Sequence, residues 1–189
     1  MSRKAVLVVD VIKDFVDPEG KVPHPQAAAI VPHIEAFVAE ARKAGAIVIW
    51  IIDAHRPGKP DWELAHVRAH CTDGTRGVEL AEPLAALPED YVIKKRRYSA
   101  FMGTDLDLVL RDNGVDTLFI TGTKTNVCIR ATSQDAFEMN YSVIIPRECV
   151  STDKEHLHVA NLEDIDKYMG RVVDLARAIE LLRCEGETA

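Results

Sequence analysis

Ala5-Val6-Leu7-Val8-Val9-Asp10 is an unbroken apolar run ending in an acid. It is too short for a helix and does not alternate, which predicts a strand covered on both faces, as in a parallel sheet. Outward from it, residues 26–44 carry helical spacing (Ile30, Ile34, Phe37, Val38, Ala41) and stop at Gly45. A second strand runs over 46–52. A long irregular segment, about 53–90, follows with Pro57, Gly58, Pro60, Gly74 and Gly77. The pattern then predicts strands over 91–93, 117–120, 141–145 and 172–173. Between them lie helices over 105–113, 125–139 and 153–168, with one more after the last strand. Strands alternating with helices imply right-handed crossovers. The expected fold is α/β: a doubly wound, mainly parallel six-stranded sheet with helices on both faces, in a single domain over residues 1–189.

Composition narrows the function. The chain is 47% hydrophobic and 28% charged, which excludes a disordered chain. With 23 basic and 30 acidic residues the net charge is −7, which argues against a general nucleic-acid binder. No apolar run approaches the roughly 20 residues of a membrane span. The opening Met1-Ser2-Arg3-Lys4-Ala5 is unlike a signal peptide. Cys71, Cys128, Cys149 and Cys184 have no scaffold-like rhythm, so the expectation is reduced thiols in a cytoplasmic protein.

In open α/β sheets, ligands sit beyond the carboxyl ends of the strands. Asp10 follows the first strand, Asp53 and His55 the second, Lys94 the third, and Thr121-Gly122-Thr123 leaves the fourth with Cys128 just inside the next helix. A lone helical cysteine is more often a small buried hydrophobe. Here, a first turn capped by Thr125 would favour a thiolate and lower its pKa. The same backbone N–H groups suit an oxyanion. Asp10 reads either as a turn cap or as a general base. In the run Lys94-Lys95-Arg96-Arg97 the alternation set by Val92 turns Lys94 inward, and Lys95 and Arg96 read as solvated surface. Asp53-Ala54-His55 puts two side chains on one side of a strand, for a plain hydrogen bond or, with a distant histidine, a metal.

Three blocks carry a resemblance. They are Val8-Val9-Asp10-Val11-Ile12-Lys13-Asp14-Phe15; Val92-Ile93-Lys94-Lys95-Arg96-Arg97-Tyr98-Ser99-Ala100-Phe101 with Gly103-Thr104-Asp105-Leu106; and Thr121-Gly122-Thr123-Lys124-Thr125-Asn126-Val127-Cys128-Ile129. The chain resembles the isochorismatase-like cysteine hydrolase superfamily over nearly its whole length, and nicotinamidases most closely in pattern. The resemblance implies a catalytic triad of Asp10, Lys94 and Cys128, a cis peptide between Thr123 and Lys124, and an oxyanion hole of the Lys124 and Cys128 N–H groups. It also implies a divalent metal, zinc first and manganese or iron as alternatives, held by Asp53, His55 and His70, with Asp61 standing where a further histidine is common. No organic cofactor is implied.

The implied activity is cleavage of a small amide to acid and ammonia through a thioester, with nicotinamide as the leading substrate. A ureido, carbamoyl or aliphatic amide is the alternative, as is a catalytically silent oligomeric binding protein. Relatives associate as dimers or tetramers, so a homo-oligomer is expected. Phe15, Val67, Tyr98 and Thr123 are the expected pocket residues. Departures from the pattern are Ile12 in place of a glutamine and Val67 in place of an aromatic residue. Trp62 reads as part of a lid or a subunit contact. His24, His33 and His66 read as surface or capping residues. His156 and His158 point to different helix faces and are discounted as a metal pair.

Overall fold

The computed structural model describes residues 3–184. Residues 1–2 and 185–189, the ends of the domain expected over 1–189, lie outside the described residues. The strands are β1 (Arg3–Val9), β2 (Ile47–Asp53), β3 (Tyr91–Lys95), β4 (Val115–Thr123), β5 (Ser142–Pro146), β6 (Val150–Ser151) and β7 (Arg171–Val173). The helices are α1 (Lys13–Val16), α2 (Pro25–Lys43), α3 (Leu106–Asp112), α4 (Arg130–Glu138), α5 (Glu155–Tyr168) and α6 (Leu175–Arg183). The sheet order is β3-β2-β1-β4-β5-β7, and every strand pairing is parallel. A seventh strand, β6, joins the end of β4 by pairing Gly122 with Val150 and Thr123 with Ser151. Its two residues are too few to show a period, which is why six strands were expected rather than seven.

Both sheet faces are buried, and β1 shows how. Ala5, Leu7 and Val9 pack with Leu106 and Leu110 of α3, Ala136 of α4 and Ile165 of α5. Val6 and Val8 pack on the opposite face with Ile34, Phe37 and Val38 of α2 and Leu181 and Leu182 of α6. Fully burying each valine, leucine, isoleucine or phenylalanine among them stabilises the fold by about 1.5–3 kcal/mol. β1 is therefore apolar at every position from Ala5 to Val9, as the opening run predicts.

Helix α2 has Pro25 at its first turn, where the missing N–H costs nothing. It ends at Gly45, whose φ of +72° lets its N–H return to the Arg42 carbonyl. The helix expected over 125–139 opens differently. Residues Thr125–Ile129 form one wide turn, closed by the Ile129 N–H on the Lys124 carbonyl at 3.1 Å, before α4 proper begins. Thr125 does not cap this helix through its side chain. Among the described residues, no helix is long and apolar enough to cross a membrane.

Candidate active site

Asp10 leaves β1 with φ of +56°, a left-handed conformation that aspartate tolerates better than most residues. The turn points its carboxylate across the strand ends. Oδ1 accepts the Asp53 N–H at 2.9 Å, and Oδ2 lies 2.8 Å from Nζ of Lys95. The same ammonium donates to Cys128 Sγ at 3.5 Å. Asp10, Lys95 and Cys128 are 0%, 1% and 6% exposed. Three elements thus bring an acid, an amine and a thiol into one buried contact.

The amine is Lys95, and the expectation of Lys94 is corrected. β3 continues two residues beyond its expected end, and its buried positions are Ile93 and Lys95. Val92 is exposed, so the alternation along β3 runs in the opposite phase to the expected one. Lys94 points outward, 54% exposed at its side chain, and pairs with Asp73 at 2.7 Å.

Burial is the largest influence on all three groups. It pushes the Asp10 carboxyl above the ordinary range, with Lys95 opposing and Asp53 adding to the rise. It works against the Lys95 charge, but Asp10, Cys128 and Asp53 outweigh it and hold the ammonium firmly protonated. It also pushes the Cys128 thiol up, with Lys95 opposing and the carboxylates of Asp10 and Asp53 adding to the rise. The lowered thiol pKa expected from a helix N-terminus is therefore corrected. The resting sulfur keeps its proton.

β4 ends beside Asp10. Gly122 has φ of +114°, and a Cβ there would lie 1.9 Å from the Val9 carbonyl oxygen, so only glycine allows this approach. The next peptide, Thr123–Lys124, is cis, as the resemblance implies. Thr123 is buried, but its hydroxyl donates to the Ser151 carbonyl and contacts His24, so it offers no free hydroxyl to a substrate.

Next to Asp10 and Lys95, Asp53, His55, Glu63 and His70 are all buried, with one potential ligand atom from each lying within 4.8 Å of the others. Asp53 Oδ1 is 3.3 Å from His55 Nε2, and Asp53 Oδ2 is 3.3 Å from His70 Nε2. The outer nitrogens are already engaged: His55 Nδ1 contacts Asp61 at 2.9 Å and His70 Nδ1 contacts the Arg68 carbonyl at 2.7 Å. In the neutral rings this leaves both Nε2 lone pairs facing inward. Asp53 Oδ1 and His55 Nε2 are buried without hydrogen-bond partners, a cost that a cation would remove. Burial disfavours a charge on His55, but Asp53 and Asp61 override it and lift its pKa to about 9, as expected of a cage demanding positive charge. The nitrogen and oxygen donors suit zinc, manganese or iron(II).

Asp61 is not one of the inward donors. It stands behind His55 and is itself held by Arg97 at 3.1 Å. The fourth donor is Glu63, two residues on, which sequence reasoning missed. It lies in an irregular segment with no periodicity to mark its direction.

Phe15 packs edge-on against His70, with centroids 5.7 Å apart, at the border of this group. Tyr98 is half exposed, and burial together with the charges of Glu63 and Cys128 raises its pKa. Val67 is exposed, and its N–H bonds the Glu63 carbonyl. Trp62 is exposed and packs edge-on against His66. His24, expected as a surface or capping residue, stands at the N-cap position of α2 without a side-chain cap bond and is buried against Thr123, and His158 bonds Thr125. All four cysteines are free thiols.

The isochorismatase domain model matches residues 4–177. The chain belongs to the isochorismatase family. It is 32% identical over 196 residues to the ureidoacrylate amidohydrolase RutB of Methylobacterium radiotolerans, covering 90% of this chain and 76% of that one. Among solved structures of this family, the pyrazinamidase/nicotinamidase of Streptococcus mutans superposes with a TM-score of 0.87 at 29% identity, covering 90% of this chain and 99% of that one. The pyrazinamidase of Pyrococcus horikoshii in complex with zinc gives 0.83 at 28%, covering 91% and 99%.

Proposed function

We propose that this protein is a cysteine amidohydrolase that cleaves a small amide to its acid and ammonia, with nicotinamide as the first substrate to test. One observation carries the reading: Lys95 Nζ lies between Asp10 and Cys128, 2.8 Å from the carboxylate and 3.5 Å from the sulfur, with all three groups buried.

Asp10 takes the thiol proton, and its raised pKa makes it a stronger base than an ordinary carboxylate. Lys95 remains charged and balances the thiolate as it forms. The sulfur attacks the amide carbon, while the Lys124 and Cys128 N–H groups receive the developing oxyanion. Asp10 then returns the proton to the nitrogen as the C–N bond breaks, releasing ammonia and leaving a thioester. Water gives a proton to Asp10 as it attacks the thioester. The C–S bond breaks, the proton returns to sulfur, and the acid departs. A divalent metal held by Asp53, His55, Glu63 and His70 would bind and orient a heteroatom of the substrate. Phe15 and Tyr98 would border the substrate, and Val67 would lie further out.

The buried four-donor group favours nicotinamide, because a ring nitrogen is a ligand such a site can hold. The similarity to a ureidoacrylate amidohydrolase favours including ureido and carbamoyl amides. Ammonia release over a panel of these amides, with and without chelator, tests the reading. Turnover should vanish in Cys128→Ala while its melting temperature stays near that of the wild type. Retained turnover in that variant would remove the nucleophile. Nicotinamide turnover indifferent to complete metal removal would remove the metal-oriented substrate.

A further inference from the structure

Two histidines that take no part in the triad or the metal-binding group grip the segment carrying the proposed oxyanion donors. His24, at the entry to α2, is buried with Nε2 2.8 Å from Thr123 Oγ1. The Thr123 hydroxyl gives its proton to the Ser151 carbonyl of β6 at 3.2 Å, so it receives the Nε2–H of His24. On the other side, Nδ1 of His158, from the first turns of α5, lies 2.9 Å from Thr125 Oγ1. Thr123 and Thr125 are both buried, and they flank Lys124. Three separate elements therefore converge on three consecutive residues.

Both rings are held neutral. Burial, with help from the Lys124 charge, brings His24 down to about 4, against weaker contributions from Asp153 and Gln26. Burial lowers His158 against Glu155.

We propose that His24 and His158 are positioning residues that fix Thr123-Lys124-Thr125 from opposite sides, holding the Lys124 N–H in line with the carbonyl oxygen of the substrate. The inference rests on the amidohydrolase reading above. A hydrogen bond weakens steeply as its angle closes, so a donor must be set before charge develops. The oxyanion exists only beyond the ground state. A loosened donor therefore lowers kcat and leaves KM nearly unchanged.

The test uses the full-length chain and the best amide of the panel. His24→Ala and His158→Ala should each lose at least tenfold in kcat, with KM within twofold of wild type. His24→Gln carries an amide nitrogen near the place of Nε2, and His158→Asn one near the place of Nδ1, and each should recover most of the loss. Alkylation of Cys128 by iodoacetamide, followed on its own peptide, involves no oxyanion and should stay within twofold in the alanine variants. Unchanged kcat, a change in KM alone, no recovery in the amide variants, or alkylation falling in step with turnover would overturn the proposal. If the alanine variants fail to fold, Thr123→Val and Thr125→Val remove the two hydroxyls at nearly constant volume and are read by the same split. Turnover surviving in Cys128→Ala would sink the amidohydrolase reading itself. Unchanged kcat in the histidine variants sinks only this inference.

Discussion

Burying an ammonium costs several kcal/mol unless it is paired and hydrogen-bonded. Lys95 meets that condition through Asp10 and Cys128, whereas Lys94, one residue earlier, stays in solvent with Asp73. Steady-state kinetics should therefore separate neighbouring lysines: Lys95→Ala losing at least about a thousandfold in kcat and Lys94→Ala staying within twofold. The first loss follows from removing the charge that balances both thiolate and carboxylate. His24 gives a pH-dependent counterpart. Its native pKa is about 4, against about 6.5 when unfolded, so between those values the unfolded chain binds a proton that the native chain refuses. Stability should fall as pH drops through that window, by about 1–2 kcal/mol. Urea unfolding at pH 7 and pH 4.5 should show this loss in the wild type and a smaller one in His24→Gln. Asp10, Cys128, Asp53, His55 and His70 were legible in the sequence, because each follows a strand end or a family motif. Lys95 was not, since four consecutive basic residues carry no contrast from which to read the inward phase.

Among the elements, regular segments were readable and irregular ones were not. The order of strands and helices followed from apolar runs and 3.6-residue spacing, and even the stop at Gly45 was marked. The stretch from 54 to 90 has no period, so the direction of Glu63 could not be inferred from its neighbours. Position 61, singled out by the resemblance, proved to stand one step behind the inward donors. Gly122 shows how closely the strand ends fit. Gly122→Ala would drive a methyl group into the Val9 carbonyl at a φ that L-residues rarely adopt, so β1 and β4 must separate. That variant should lose at least about 3 kcal/mol in chemical denaturation, and any folded fraction should show slowed turnover, because the displaced strands carry Asp10 and Cys128.

At the scale of the whole molecule, the buried donor group ties metal binding to stability. A cation that binds the native chain at a hundred times its Kd adds about 2.7 kcal/mol, worth roughly 5–10 °C in melting temperature for a domain of this size. Thermal scans after chelation and readdition of zinc, manganese or iron(II) should show a shift of that order. Glu63→Gln should weaken the metal affinity about tenfold or more and shrink the shift accordingly. The sheet also distributes its support unevenly. Among the described residues β3 is a border strand paired with β2 alone, while β4 pairs with β1 on one side and with β5 and β6 on the other. Cys128 thus follows a strand paired on both sides, and its counter-charge sits on a strand paired on one side. Deuterium uptake should begin along the β3 border well before the β4 amides exchange. Each such fraying event withdraws the amine and leaves an otherwise intact molecule idle, so specific activity should decline on warming several degrees before the central amides give way.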